Sequence, residues 1–180
     1  MIGSPRTRRK SAWPTSDAIR LGAARGAGSP PGKRRGAPRT DPLTGTATRD
    51  VLERALCRLA GASASSSTRP VHAACLLVDV VGLKSANAVE GFSRGDDLLR
   101  RAADSLRTIA PTARVIARLG GDELVALFTG PRARDEADAA CRLAGGVASP
   151  RLRAAWAEVE RGVPPAALFD RLYARCRGGA

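Results

Sequence analysis

Three acidic residues carry most of the chemistry this sequence could perform. Asp122 and Glu123 stand together behind Gly120-Gly121, and Asp79 lies alone in the apolar run Ala73-Ala74-Cys75-Leu76-Leu77-Val78-Asp79-Val80. Adjacent carboxylates repel each other unless a cation or solvent accepts them, so the Asp122-Glu123 pair is a candidate for metal-ion chemistry. A merely solvated turn is the competing reading, because Gly-Gly-Asp is also ordinary turn chemistry. An acid inside an apolar run is costly if buried alone, and is more often paired or metal-bound than idle. After that run, Gly82 permits close backbone approach and Lys84 could meet a phosphate, although Gly-Leu-Lys by itself suits an ordinary connection equally well.

Positioning these groups is the task of a few elements. Two runs rich in Val, Ile, Leu and Phe, Val115 to Arg118 and Leu124 to Phe128, flank the Gly-Gly-Asp-Glu step. They predict a β-hairpin whose tight turn requires glycine at positive φ and whose tip presents the carboxylates. Asp41-Pro42-Leu43-Thr44-Gly45 reads as a turn. Thr48 can cap a following helix in which Val51, Leu52, Ala55, Leu56 and Leu59 recur at helical spacing until Gly61. Residues 62–70 read as a Ser/Ala-rich loop, and 73–80 as a strand with Asp79 near its carboxyl end. Gly95-Asp96-Asp97 opens an amphipathic helix with Leu98, Leu99, Ala102, Leu106 and Ile109 on one side, which Pro111 ends. A helix near 132–144, a strand over 152–159 and a last helix over 164–177 complete the series. The order suits an α+β sandwich with a central, largely antiparallel sheet that sets the end of the Asp79 strand beside the hairpin tip. Asp79 and Asp122 would then converge on a pair of cations, one activating a hydroxyl and the other steadying a pyrophosphate leaving group, for which Mg²⁺ is suited.

The chain of 180 residues is long enough for one domain with a sizeable core, built from small aliphatics because aromatics make up only 3%. Its net charge of +13 suggests a nucleic-acid binder until the charge is located. Residues 1–40 contribute +9 of it and residues 41–180 only +4. That basic segment, 1–40, cannot bury enough apolar surface to order itself and is expected to be disordered. It could touch nucleic acid or an anionic membrane surface, or be a solvated leader. No run approaches a membrane span or a signal-peptide apolar region, so a soluble, cytoplasmic protein is expected. Cys57, Cys75, Cys141 and Cys176 are widely spaced among apolar neighbours and read as small core hydrophobes; with one His, His72, zinc ligation has nothing to build on.

These motifs, in this register, resemble the GGDEF domain of bacterial diguanylate cyclases, closely over residues 41–130 and loosely over 131–180. Asp41-x-Leu43-Thr44-Gly45 with Arg49 is similar to the family's opening motif. Asp79, Lys84, Asn87 and Gly95-Asp96 fall in the order of its nucleotide-binding stretch, and Arg118-Leu119-Gly120-Gly121-Asp122-Glu123-Leu124 is similar to its signature. The resemblance implies a fold like that of nucleotidyl cyclases and polymerase palms. It also implies GTP as substrate, and a homodimer in which each 3′-hydroxyl attacks the other nucleotide's α-phosphate to form cyclic di-GMP.

By the same resemblance Asp79 and Asp122 would hold Mg²⁺ or Mn²⁺, with Glu123 assisting, and Asp122 and Glu123 form the catalytic pair. Asn87 and Asp96 would bond the guanine edge, while Lys84 and the backbone at Gly82, Leu83, Gly120 and Gly121 would line the nucleotide site. The departures lie at Val81, Leu83, Ala88 and Phe92, and in the missing Arg-x-x-Asp inhibition motif at 111–114, so product feedback there is not expected. The carboxyl-terminal part is short, a β-hairpin is expected to be missing, and Cys176 stands where a phosphate-binding Lys would align, leaving Arg175 or Arg177 to replace it. Ahead of residue 41 only the basic segment is present, so the two half-sites would have to meet unaided. A degenerate GGDEF domain that binds GTP without turnover and acts as a regulatory or interaction module is the alternative reading. A basic-tailed nucleic-acid binder on an unrelated α+β scaffold is a third.

Overall fold

The strand Ala73–Val80 (β2) is the axis of the fold, since six of its residues in unbroken succession, Ala73 to Val78, are buried. A run that is apolar on both faces must be covered on both, and here helices pack against each side. The computed structural model describes residues 39–61 and 71–178. Residues 1–38 of the basic segment 1–40, and the loop 62–70 anticipated from the sequence, lie outside the described residues.

The sheet has five strands in the order β1-β3-β4-β2-β5. Antiparallel pairing joins β2 to Glu123–Thr129 (β4) and to Leu152–Glu158 (β5), and joins β4 to Val115–Arg118 (β3). The two-residue β1, Ala47–Thr48, adds one parallel pairing at β3. The sheet is therefore mostly antiparallel, as expected for the α+β class.

Alternation along β2 sorts the core into two layers. Ala74, Leu76, Val78 and Val80 meet helices Leu83–Glu90 (α2), Phe92–Ile109 (α3) and Ala133–Gly145 (α4). Ala73, Cys75 and Leu77 meet Arg49–Gly61 (α1) and Pro165–Gly178 (α5). No helix among the described residues is long and apolar enough to cross a membrane.

Several local expectations need correction. Residues 83–90 form a helix rather than a plain connection, because Leu83 and Ala86 have apolar core to pack on. Helix α3 begins at Phe92, three residues before Gly95, so Gly95 is an interior, buried helix position. The hairpin turn is not built on left-handed glycines, since positive φ occurs at Gly45, Gly82, Gly91, Gly130 and Gly162 and at neither Gly120 nor Gly121. Cys57 is exposed on α1 rather than part of the core. Cys75 is buried as expected, and burial pushes its thiol up to about 12, which leaves it inert at neutral pH. His72 is exposed at the entrance of β2. The short β1 is not anticipated from the sequence; the remaining helices and strands fall within one or two residues of their predicted ends, and no strand intervenes between α4 and β5.

Candidate functional site

Strand register gathers the three acids at one end of the sheet. Asp79, second from the end of β2, pairs across with Glu123 at the start of β4. The backbone N–H of Val80 donates to the carbonyl of Asp122 at 2.9 Å, which ties the hairpin tip to the same strand end. On its other flank Asp79 pairs with Arg153, near the start of β5. Directly paired residues share a face, and odd-numbered positions of β2 face α1 and α5. Glu123, Asp79 and Arg153 thus form a row beneath α5.

The charges in this row feel one another. Burial and then the charge of Asp122 raise the Asp79 carboxyl above its ordinary value, while Arg153, Arg177 and Lys84 pull it back. Burial raises Glu123, as do Asp122 and Asp79, against the lowering effect of a hydrogen bond from Tyr173 and the charge of Arg177. The Tyr173 hydroxyl donates to Glu123 Oε2 at 2.8 Å, and burial together with that bond pushes the phenol upward.

The tip itself is braced by a latch. Backbone N–H groups of Leu119 and Gly120 donate to the Glu123 carbonyl at 2.8 and 3.4 Å. Arg118 donates through Nε to the Gly120 carbonyl at 3.1 Å and through its terminal nitrogen to the Gly121 carbonyl at 2.8 Å. Its other terminal nitrogen reaches Asp41 at 3.4 Å. Asp41 in turn accepts from the Thr44 N–H at 2.9 Å and hydroxyl at 2.7 Å. Burial works against ionised Asp41, but the Thr44 bonds and the Arg118 charge win and hold its carboxyl below the ordinary value. At Gly120 a Cβ would collide with the Glu123 carboxylate, whereas one at Gly121 would meet open space. A side chain at 120 would therefore displace the carboxylate oxygen that Tyr173 holds.

A second cluster lies where α2 meets α3. Gly82 is the N-cap of α2, Leu83 is buried and Lys84 is exposed. Asn87 packs its amide so closely on Gly95 that any Cβ there would overlap it. Its Oδ1 is buried without a hydrogen-bond partner. Asp96, next along α3, is half-buried. An orphaned buried acceptor costs free energy unless a ligand donor meets it.

Of the two arginines anticipated on α5, the structure turns one toward the acids. Arg177 lies over the Tyr173 ring at 5.5 Å and acts electrostatically on Asp79 and Glu123. Arg175 instead donates to the Trp156 carbonyl at 2.7 Å. Sequence reasoning gave no role to Arg153 or Tyr173. Arg153 did leave a signal, as the single charge in the otherwise apolar row Arg153, Ala155, Ala157, Val159.

Oxygen donors raised by burial and mutual repulsion are the chemistry a hard divalent cation requires. Among the described residues no three His, Cys, Asp or Glu side chains form a preassembled metal cage. Mg²⁺ does not demand one, because it commonly takes one or two carboxylates together with phosphate oxygens and water.

Residues 39–153 match the family model described as diguanylate cyclase, GGDEF domain. The chain belongs to that family. Among curated relatives of this GGDEF domain, the bifunctional diguanylate cyclase/cyclic di-GMP phosphodiesterase MucR of Pseudomonas aeruginosa is 43% identical over 67 residues, 37% of this chain and 9% of MucR. An uncharacterised protein, y4lL of Sinorhizobium fredii, is 35% identical over 99 residues, 55% of this chain and 12% of that protein. The chain thus spans a small part of either relative. In fold, the GGDEF domain is similar to that of DgcB from Caulobacter crescentus, solved with c-di-GMP, at a TM-score of 0.66 and 23% identity over 81% of this chain and 94% of that one. It is also similar to the FimX GGDEF domain of P. aeruginosa, at 0.65 and 19% over 79% and 93%.

Proposed function

We propose that this GGDEF domain is a diguanylate cyclase that condenses two GTP into cyclic di-GMP and pyrophosphate across a homodimer in the cytoplasm. The observation that carries the reading is the register Asp79 opposite Glu123, with Asp122 tied to Val80, which supports three carboxylates acting on one cation site. Asp79 and Asp122 would hold Mg²⁺ or Mn²⁺, with Glu123 assisting under the hold of Tyr173. The metal would supply Lewis-acid activation of the attacking 3′-hydroxyl and neutralise charge on the phosphates. Asn87 Oδ1 would accept from the guanine N–H edge, with Asp96 beside it. The free N–H groups at the start of α2, behind Gly82 and Leu83, and the Lys84 ammonium would orient the phosphates. The lack of a side chain at Gly120 leaves the Glu123 carboxylate in place, and the nucleotide would pass along the backbone of Gly120 and Gly121.

The test is to incubate the full chain at high concentration with GTP and Mg²⁺ or Mn²⁺ and to follow cyclic di-GMP by mass spectrometry, beside Asp122→Ala. Product from the natural sequence and none from the variant is expected. One feature favours a second reading, a domain that binds GTP without turnover: the neutral, buried Cys176 stands on α5 beside Arg177. Metal-dependent GTP binding without product would select it.

A further inference from the structure

We propose that Arg153 is a phosphate-contacting residue of this site, reaching the nucleotide's β- and γ-phosphates from strand β5 while Arg177 reaches them from helix α5. The inference rests on GTP being the ligand, and it adds a residue that neither the signature nor the closing helix of the chain contains.

Position is the first ground. Arg153 pairs directly with Asp79, on the opposite flank from Glu123, so the carboxylates and this guanidinium occupy one row on the face under α5. The N–H of Val81 donates to the Arg151 carbonyl at 3.0 Å, which extends the β2–β5 pairing past Asp79 and fixes Arg153 at that end of the sheet. Availability is the second. Arginines elsewhere on β5's neighbours are engaged, Arg171 with Glu160, Arg134 with Glu158, and Arg175 with the Trp156 carbonyl. Arg153 is exposed and makes no hydrogen bond or ion pair among the described residues, although an acid is its direct cross-strand neighbour. A structural pair across the strands would have closed onto Asp79.

Charge arrangement is the third ground. Lys84, Arg153 and Arg177 come from three different elements and all act on Asp79, yet none forms an ion pair with it. Arg153 also acts on Cys176, which places it beside the same stretch of α5 as Arg177. Cations held around a carboxylate cluster without collapsing onto it suit a ligand that carries a cation and a polyanion together, as a metal-bound triphosphate does. An arginine fork matches the oxygens of one or two phosphates.

The experiment is isothermal titration of the full chain, with Mg²⁺, by guanosine and by guanosine 5′-(α,β-methylene)triphosphate, whose α–β bridge is not cleaved. Arg153→Ala is expected to weaken the triphosphate about tenfold or more, the effect of losing one charge-assisted phosphate contact, and to leave guanosine unchanged. Arg153→Lys should lie between, and Arg175→Ala should bind as the natural chain does. Equal triphosphate affinity in Arg153→Ala and the natural chain overturns the proposal, as does a parallel loss of guanosine. If the natural chain binds neither ligand, the cyclase reading falls with it. Binding without turnover leaves the Arg153 assignment standing while the cyclase reading fails.

Discussion

The Asp41–Arg118 latch makes a quantitative prediction that does not depend on turnover. Both side chains are largely withdrawn from water, at 17% and 20% exposure. Arg118→Ala would remove two charge-assisted bonds to the Gly120 and Gly121 carbonyls as well as the pair with Asp41. Bonds to charged groups contribute about 1.5–3 kcal/mol each, and carbonyls at an exposed tip regain water in part. A net loss of about 2–3 kcal/mol is therefore expected, and it lowers the melting temperature by roughly 4–12 °C in a chain of this size. Asp41→Asn should lose less, since the amide oxygen can still accept from Thr44. Its deficit should depend on pH in a definite sense. The folded Asp41 carboxyl lies below its unfolded value, so its contribution is full above about pH 4 and is lost as pH falls through the folded value. Thermal melts of the natural chain, both single variants and the double variant, at pH 7 and in acid, give the coupling energy. Hydrogen exchange at the Leu119 and Gly120 amides reports whether the tip itself opens. Additive single effects at pH 7, or an Asn deficit that persists unchanged in strong acid, would refute the latch.

Three further outcomes are expected. Gly120→Ala should abolish cyclic di-GMP formation with a modest effect on melting, because its methyl displaces the Glu123 carboxylate, while Gly121→Ala should retain product within about twofold by mass spectrometry. Gly95→Ala, which ordinary helix propensity would favour by about 1 kcal/mol, should instead weaken GTP binding at least tenfold in a titration, because its methyl expels the Asn87 amide. Asp79→Asn should raise the metal-free melting temperature at pH 7 by a few degrees. The folded Asp79 carboxyl is raised, so its ionised form opposes folding at neutral pH, and the gap between variant and natural chain should close as pH falls through the folded value.

Much of this architecture was legible because it rests on short-range pattern. The unbroken apolar run of β2 announced a strand covered on both faces, and the Leu98, Leu99, Ala102, Leu106 spacing announced α3. What stayed hidden depended on a neighbour distant in sequence. Glycine at 95 suggests a helix boundary from sequence alone, yet it lies inside α3, where the Asn87 amide of α2 takes up the space. Glycine at 120 suggests a conformational requirement, yet its φ is not positive and its close neighbour is the Glu123 carboxylate three residues on. Both errors have one physical source: a glycine is selected by backbone angle or by close approach, and sequence alone does not distinguish the two.

The choice between Arg175 and Arg177 illustrates how one long-range contact makes a local pattern decisive. Helical residues four apart share a face, while those two apart point in nearly opposite directions. Once Tyr173 is fixed by its bond to Glu123, Arg177 must fall over the same end of the sheet, and the geometry agrees, with its guanidinium above the Tyr173 ring. Arg175 must then turn aside, and it does, to the Trp156 carbonyl. Cys176, three residues from Tyr173, is carried inward into the core. The tyrosine that restrains the carboxylate therefore also sets which cation of α5 faces it. Any change that shifts the rotation of α5 should alter the Glu123 bond and the position of Arg177 together, whereas Arg153, fixed by strand register, should stay where it is.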